Sequence, residues 1–215
     1  AWQVRPDWDD LVFPYDFPPE RQPTSLKPRQ RLIGEAEFVP VQNQYGGFVY
    51  AGATMAFTTA YWVLGHYNPR EIAFLGCDMS YPKSSKTHFY GTGTADPLRE
   101  DITLISLEAK AARLYALALA QGCEITNLSQ ETSRLIAPRR SLLEPRPKPF
   151  KIDKVQKAHA LAREQELAYY VASGRYWEEL ERFDIKQIKR LDALWSTVVI
   201  APPQGAVAPM LSHWI

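Results

Sequence analysis

From Tyr50 to Pro138 the sequence switches between helical and strand-like apolar patterns, and that alternation limits the fold more than any other feature. "YAGATMAFTTAYWVLGHY" has Gly52 near its start and small or apolar residues for about three turns, with Gly65 as its stop. It is apolar nearly all round, as expected of a helix buried against a sheet. "EIAFLGC" is a short continuous apolar run, the pattern of a central parallel strand. "ITLISLEAKAARLYALALAQG" predicts one long helix, with Leu104, Leu107, Ala111, Leu114, Ala118 and Leu119 on one face and Gly122 as its C-cap. "CEITNLS" predicts the next strand, and "QETSRLIAPRR" a short helix closed by Pro138. The order helix, strand, loop, helix, strand, helix predicts an α/β fold. Its form is a Rossmann-like, mostly parallel sheet with flanking helices and right-handed crossovers.

The flanks read differently. Residues 1–40 hold seven of the 17 prolines, and proline removes backbone donors and disfavours helix before it. Residues 1–47 are therefore expected to form an extended Pro-rich arm. Within it "AEFVPVQ" is expected as a short strand, which Pro40 places at a sheet edge. The aromatic side chains of the arm (Trp2, Trp8, Phe13, Tyr15, Phe17) suit contact with another surface better than a solvated linker. Residues 48–140 form the α/β unit, and 141–215 a connector and a C-terminal helical region. There "KVQKAHALAREQELAYYVASG" and "RYWEELERFDIKQIKRLDALWS" read as an amphipathic hairpin broken at Ser173-Gly174, followed by a strand through Thr197 to Ile200.

Composition narrows the function. The 215 residues are 46% hydrophobic, enough for a real core. Net charge is +1, from 25 basic and 24 acidic residues, which gives no electrostatic case for nucleic acid or an anionic membrane. Two cysteines make no disulfide framework, so a reducing cytoplasm is expected. No apolar run approaches the roughly 20 residues that span a bilayer. "AWQVRPDWDD" is not patterned as a signal peptide, and the absence of an initial Met suggests a fragment or a processed form.

In open parallel sheets ligands collect beyond the carboxyl ends of the strands. Gly76 and Asp78 follow one predicted strand. A carboxylate there can accept bonds from ribose hydroxyls, orient a base or hold a cation; an Asx-turn or helix N-cap is the plainer alternative. Asn127 and Ser129 end the next strand, with Thr132 and Ser133 beyond; Ser129 is expected to cap the short helix, whose free N–H groups suit a phosphate. Gly52, Ala53 and Thr54 form a small-residue helix start of the same kind. His88 lies in a hydroxyl-rich loop close to Asp78 and suits general-base chemistry. Metal-ligand spacings such as H-x-x-x-H or C-x-x-C are absent, as are dinucleotide, Walker and G-x-S-x-G motifs, so no metal is expected.

Taken together, "YAGATMAFTTAYWVLGHYNPREIAFLGCDMSYP", "THFYGTG", the long helix and "NLSQETSRLIAPR" resemble the C-terminal half of the sialyltransferase-like Rossmann-fold family. The family includes bacterial lipo-oligosaccharide sialyltransferases and related glycosyltransferase-like proteins. The resemblance covers about residues 48–140. It implies transfer of a sugar from a nucleotide-activated, CMP-linked donor to an acceptor hydroxyl, inverting and metal-independent, with the nucleotide sugar as substrate and no further cofactor. It casts His88 as the base, with Tyr81 and Tyr90 stabilising the departing phosphate. Gly52, Ala53, Thr54, Gly76, Asp78, Ser80, Thr87, Gly91, Thr92, Asn127, Ser129 and Ser133 would bind substrate. Partners expected are the nucleotide sugar and a glycan or small-molecule acceptor, and a homo-oligomer or larger assembly held through the arm and the C-terminal helices. The sequence departs from the family at Thr92, where a second histidine can stand, and at Ser80, which displaces the strand-end tyrosine to Tyr81. It also lacks the family's N-terminal nucleotide-binding half. The alternatives are a non-catalytic nucleotide-binding or structural component, and a pterin diphosphokinase-like enzyme using Mg²⁺ at Asp78 and Asp96.

Overall fold

The computed structural model describes residues 33–79 and 101–200. It is a mixed helix and sheet protein built around one helix, α4 (Leu107–Ala120). Before it come α1 (Ile33–Gln44), α2 (Phe48–Ala51), α3 (Met55–Tyr67) and β1 (Glu71–Phe74). After it come β2 (Glu124–Asn127), β3 (Lys151–Ile152), α5 (Lys154–Leu167), α6 (Ile185–Ser196) and β4 (Val199–Ile200). β1 and β2 pair in parallel, with Phe74 opposite Asn127, and α4 is the crossover between them. β3 and β4 pair antiparallel. The parallel α/β alternation is thus present, in a sheet of two strands among the described residues rather than a full Rossmann-like sheet.

α4 is buried almost all round. Leu107, Ala111, Leu114 and Ala118, four members of the expected face, pack with Phe57, Tyr61 and Leu64 of α3 and Ile125 of β2. Its opposite face, at Ala109 and Ala116, meets Ile188, Leu191 and Trp195 of α6. The helix starts later than expected. Asp101 caps a 3-10 turn at Ile102–Leu104, and Ser106 then accepts a bond from the Ala109 amide and caps α4 anew. Gly122 takes φ 78° just beyond the end, the left-handed position that closes a helix.

Several expectations are corrected. Residues 36–42 are helix, not strand. Val39, Val41, Gln42 and Tyr45 are buried at helical spacing, and the Gln42 side-chain amide donates to the Thr58 carbonyl, so packing on α3 overrides Pro40. Gly65 does not stop α3, which runs to Tyr67 and closes at left-handed Asn68. Gly65 instead admits α1: a Cβ there would lie 2.7 Å from Val41 Cγ1 and 3.1 Å from Tyr45 Cε2. β1 is not central. Among the described residues its outer edge carries no strand, and Ala73 is exposed.

The short helix expected over 130–138 does not form. Arg134 N donates to the Asp78 carbonyl and Asn127 N to that of Pro138, so this segment spends its backbone groups on the strand ends. The C-terminal hairpin is shorter than expected. α5 ends at left-handed Ala168, because Tyr169 and Val171 turn inward and Tyr169 N donates to the Tyr50 hydroxyl. α6 begins only at its Asp184 cap.

Candidate functional site at the carboxyl edge of the sheet

Two parallel strands deliver their carboxyl ends to one edge, and α4, which returns the chain from that edge, begins there. α3, which leads into the start of β1, begins on the same side. The loops meeting at this edge are cross-tied. Gly76 N donates to Ser129 Oγ at 2.8 Å, and Leu128 N to the Phe74 carbonyl at 2.7 Å. Arg139 donates to the Ser129 carbonyl at 2.9 Å. Arg134 makes a two-pronged bond to Glu108 in the first turn of α4, at 2.6 and 2.9 Å. That hydrogen bond holds the Glu108 carboxyl below its usual range, against a smaller opposing effect of burial.

Within this frame two polar atoms lack partners. Asn127 is 1% exposed. Its Oδ1 accepts from Ser129 N, while its Nδ2 is buried and bonded to nothing. Asp78 is half-buried, and its Oδ1 is enclosed without a donor. Leaving such a group unpaired costs about 1–3 kcal/mol. Other enclosed atoms without partners are Gln42 Oε1 and Asn43 Oδ1 on α1, Arg140 Nε, whose guanidinium reaches Glu71 at the start of β1, and Asp192 Oδ2 on α6.

The backbone is strained nearby. Ala53 has φ 94° and Met79 has φ 55°, both in the region that favours glycine. Non-glycine residues held so cost about 1–3 kcal/mol and concentrate at ligand sites. Gly52 is required for a different reason: a Cβ would lie 2.4 Å from the Phe48 carbonyl oxygen.

The residues expected from sequence distribute as follows. Gly76 and Ser129 meet just past the strand ends, Asn127 ends β2, and Asp78 follows four residues after β1, where its carbonyl accepts from Arg134 N. Gly52, Ala53 and Thr54 begin α3 on the same side, with Thr54 Oγ1 accepting from Phe57 N as the cap. Ser129 is not a helix cap; it clasps the β1 end. Ser133 lies farther along and closes a turn by accepting from Leu135 N. Ser80, Tyr81, Thr87, His88, Tyr90, Gly91, Thr92 and Asp96 lie outside the described residues, on the segment that leaves this edge after Asp78.

A second constellation was not foreseen. Arg113, 2% exposed, donates through Nε and Nη2 to the two oxygens of Glu164 at 2.7 and 2.8 Å. Its Nη1 donates to Tyr61 and its Nη2 also to the Tyr45 carbonyl. Trp195 Nε1 donates to Glu164 Oε1 at 2.7 Å. Burial alone would lower the Arg113 pKa, but Glu164 more than offsets this and the guanidinium is held charged. The Tyr61 hydroxyl, fully enclosed, is pushed up to about 12 by burial. Beside the cluster, Lys110 donates to the Val49 carbonyl and lies 3.9 Å from Asp192. Burial lowers Lys110 and raises Asp192, each partly opposed by the other. The one available signal was Arg113 in line with Leu117 and Gln121 at four-residue spacing on a helix that is otherwise apolar there.

No family model, curated protein or solved structure matches the chain. No described helix is long and apolar enough to cross a membrane. Among the described residues no three histidine, cysteine or acidic side chains gather as a metal site.

Proposed function

We propose that the carboxyl edge of β1 and β2 binds a nucleotide-activated sugar, and that the chain is a glycosyltransferase-like domain transferring that sugar to an acceptor hydroxyl. The observation that carries this reading is the two unpartnered groups at this edge, Asn127 Nδ2 at the end of β2 and Asp78 Oδ1 in the loop that follows β1. Asn127 Nδ2 offers a donor and Asp78 Oδ1 an acceptor, as a ligand with both kinds of group requires, such as a nucleobase or ribose. Strained backbone at Ala53 and Met79 fits a pre-shaped ligand edge. On the family resemblance, His88 would deprotonate the acceptor hydroxyl. Tyr81 and Tyr90 would offset charge on the departing phosphate.

The test is a thermal-shift and calorimetric screen of the full chain against CMP, UDP, GDP and their sugar conjugates. Binding is expected for at least one, weakened in Asp78→Ala. His88→Ala is expected to retain binding and lose transfer. Unchanged turnover in His88→Ala removes its role as base.

A second reading has its own observation. The outer edge of β1 is unpaired among the described residues, and a parallel pair alone is an unusual sheet. That edge suits a further strand, as in a non-catalytic component of a larger assembly. Absence of a shift with every nucleotide favours this reading.

A further inference from the structure

A cleft of about 450 Å³ opens between the second half of α4 and the second half of α5. That volume lies in the range of small-molecule sites. Arg113, Leu117 and Gln121 line one wall at four-residue spacing, and Leu161, Glu164, Gln165 and Ala168 line the facing wall. The turn from α1 to α2 closes the third side with Tyr45, Gly46 and Tyr50, and Tyr170 stands at the rim, 43% exposed. Gln121 follows the last residue of α4, so the cleft lies toward the end of that helix opposite the carboxyl edge of the sheet.

The lining selects a kind of ligand. The floor is electrically neutral, because Arg113 and Glu164 spend their charges on each other. Every nitrogen of Arg113 is already donating, which leaves little to hold an anion. Glu164 Oε2 accepts one bond, from Arg113, and keeps room for another donor. Gln121 accepts from the Tyr45 hydroxyl through Oε1, so its amide N–H groups remain available. Gln44 and Gln165 are exposed and add donors and acceptors. Tyr45, Tyr50 and Tyr170 supply aromatic surface.

Gly46 keeps the floor open. Its φ is 88°, and a Cβ there would come within 3.0 Å of Tyr50 Cδ2, 3.5 Å of Arg113 Nη2 and 3.9 Å of Glu164 Oε2. A side chain would project into the space above the ion pair.

We infer that this cleft is a second binding site, separate from the sheet edge, for a neutral hydroxyl-bearing ring of the monosaccharide class. The C–H face of such a ring packs on tyrosine, and its hydroxyls pair with amides and a carboxylate oxygen.

The test is saturation-transfer NMR on the full chain with methyl glucoside, methyl galactoside and methyl N-acetylglucosaminide. At least one is expected to receive saturation, with an affinity that does not change with salt. Tyr170→Ala, at the exposed rim, is expected to weaken it about tenfold without moving the unfolding midpoint. Leu161→Trp, which fills the cleft, is expected to abolish it. No saturation on any glycoside overturns the proposal, as does equal saturation in the wild type and both variants. Displacement of the glycoside by CMP assigns the signal to the sheet edge and overturns it too. Failure of nucleotide binding at that edge leaves this result independent.

Discussion

The Arg113 cluster and the strand ends at Asp78 and Asn127 are both polar and both buried, but they are completed differently. Around Arg113 the protein supplies its own partners: Glu164, Tyr61 and the Tyr45 carbonyl take its N–H groups, and Trp195 donates to Glu164. At the strand ends the chain supplies a donor and an acceptor, with nothing among the described residues to meet them. A guanidinium whose donors are all met holds packing together, whereas a buried group left unpaired calls for a partner. The contrast also explains position. Arg113 sits where the two halves of the core meet, with its guanidinium 5.6 Å from the Tyr61 ring and 5.5 Å from that of Trp195. Asp78 sits where the chain leaves the sheet.

The largest test of this contrast is Glu164→Ala. It leaves Arg113 charged and buried, and breaking such a pair costs about 3–5 kcal/mol. Urea unfolding should show that loss, and replacing both partners by apolar residues should recover much of it. A loss below about 1 kcal/mol would mean the cluster is not structural.

Tyr50→Phe comes next. The Tyr50 hydroxyl donates to the Glu164 carbonyl and accepts from Tyr169 N, so its removal strands both groups. The expected cost is about 1–3 kcal/mol by the same measurement.

Asp78→Ala should behave in the opposite way. It removes an acceptor that nothing among the described residues satisfies, so stability should change by less than about 1 kcal/mol while nucleotide affinity falls. A large destabilisation would place Asp78 with the Arg113 cluster and against the ligand reading.

The smallest effect is one of pH. Arg134 holds the folded Glu108 carboxyl below its ordinary value of 4.5. Its contribution is fully present above that value and is lost as pH falls through the lowered folded one. Asp192 has the reverse sign: burial raises it, so its contribution is present at acid pH and fades as pH rises through its raised value. Melting temperatures of Glu108→Gln should therefore fall less steeply on acidification than those of the wild type.

Local pattern made much of the α/β unit legible. "EIAF" and "EITN" form strands, and four residues of the expected α4 face are among the most buried in the protein. The strand-end residues followed from the same pattern, since a parallel pair must present both carboxyl ends together. What the sequence hid depends on distant contacts. Pro40 argued against helix, yet Gly65 of α3 gives α1 a surface to lie on. Tyr169 and Val171 continue a helical pattern, yet the Tyr50 hydroxyl draws the chain away from it. Glu164 lies in a charged amphipathic helix whose pattern does not single it out; the position of Arg113 on another helix makes it a core residue.

The outer edge of β1, which pairs with no strand among the described residues, has a practical consequence. The outward backbone groups around Ala73 form a template that any exposed strand can extend, and Leu75, 71% exposed, adds apolar surface beside it. At high concentration the isolated chain should self-associate through this edge. A gatekeeper lysine, Ala73→Lys, should suppress that association in light scattering while leaving the fold intact.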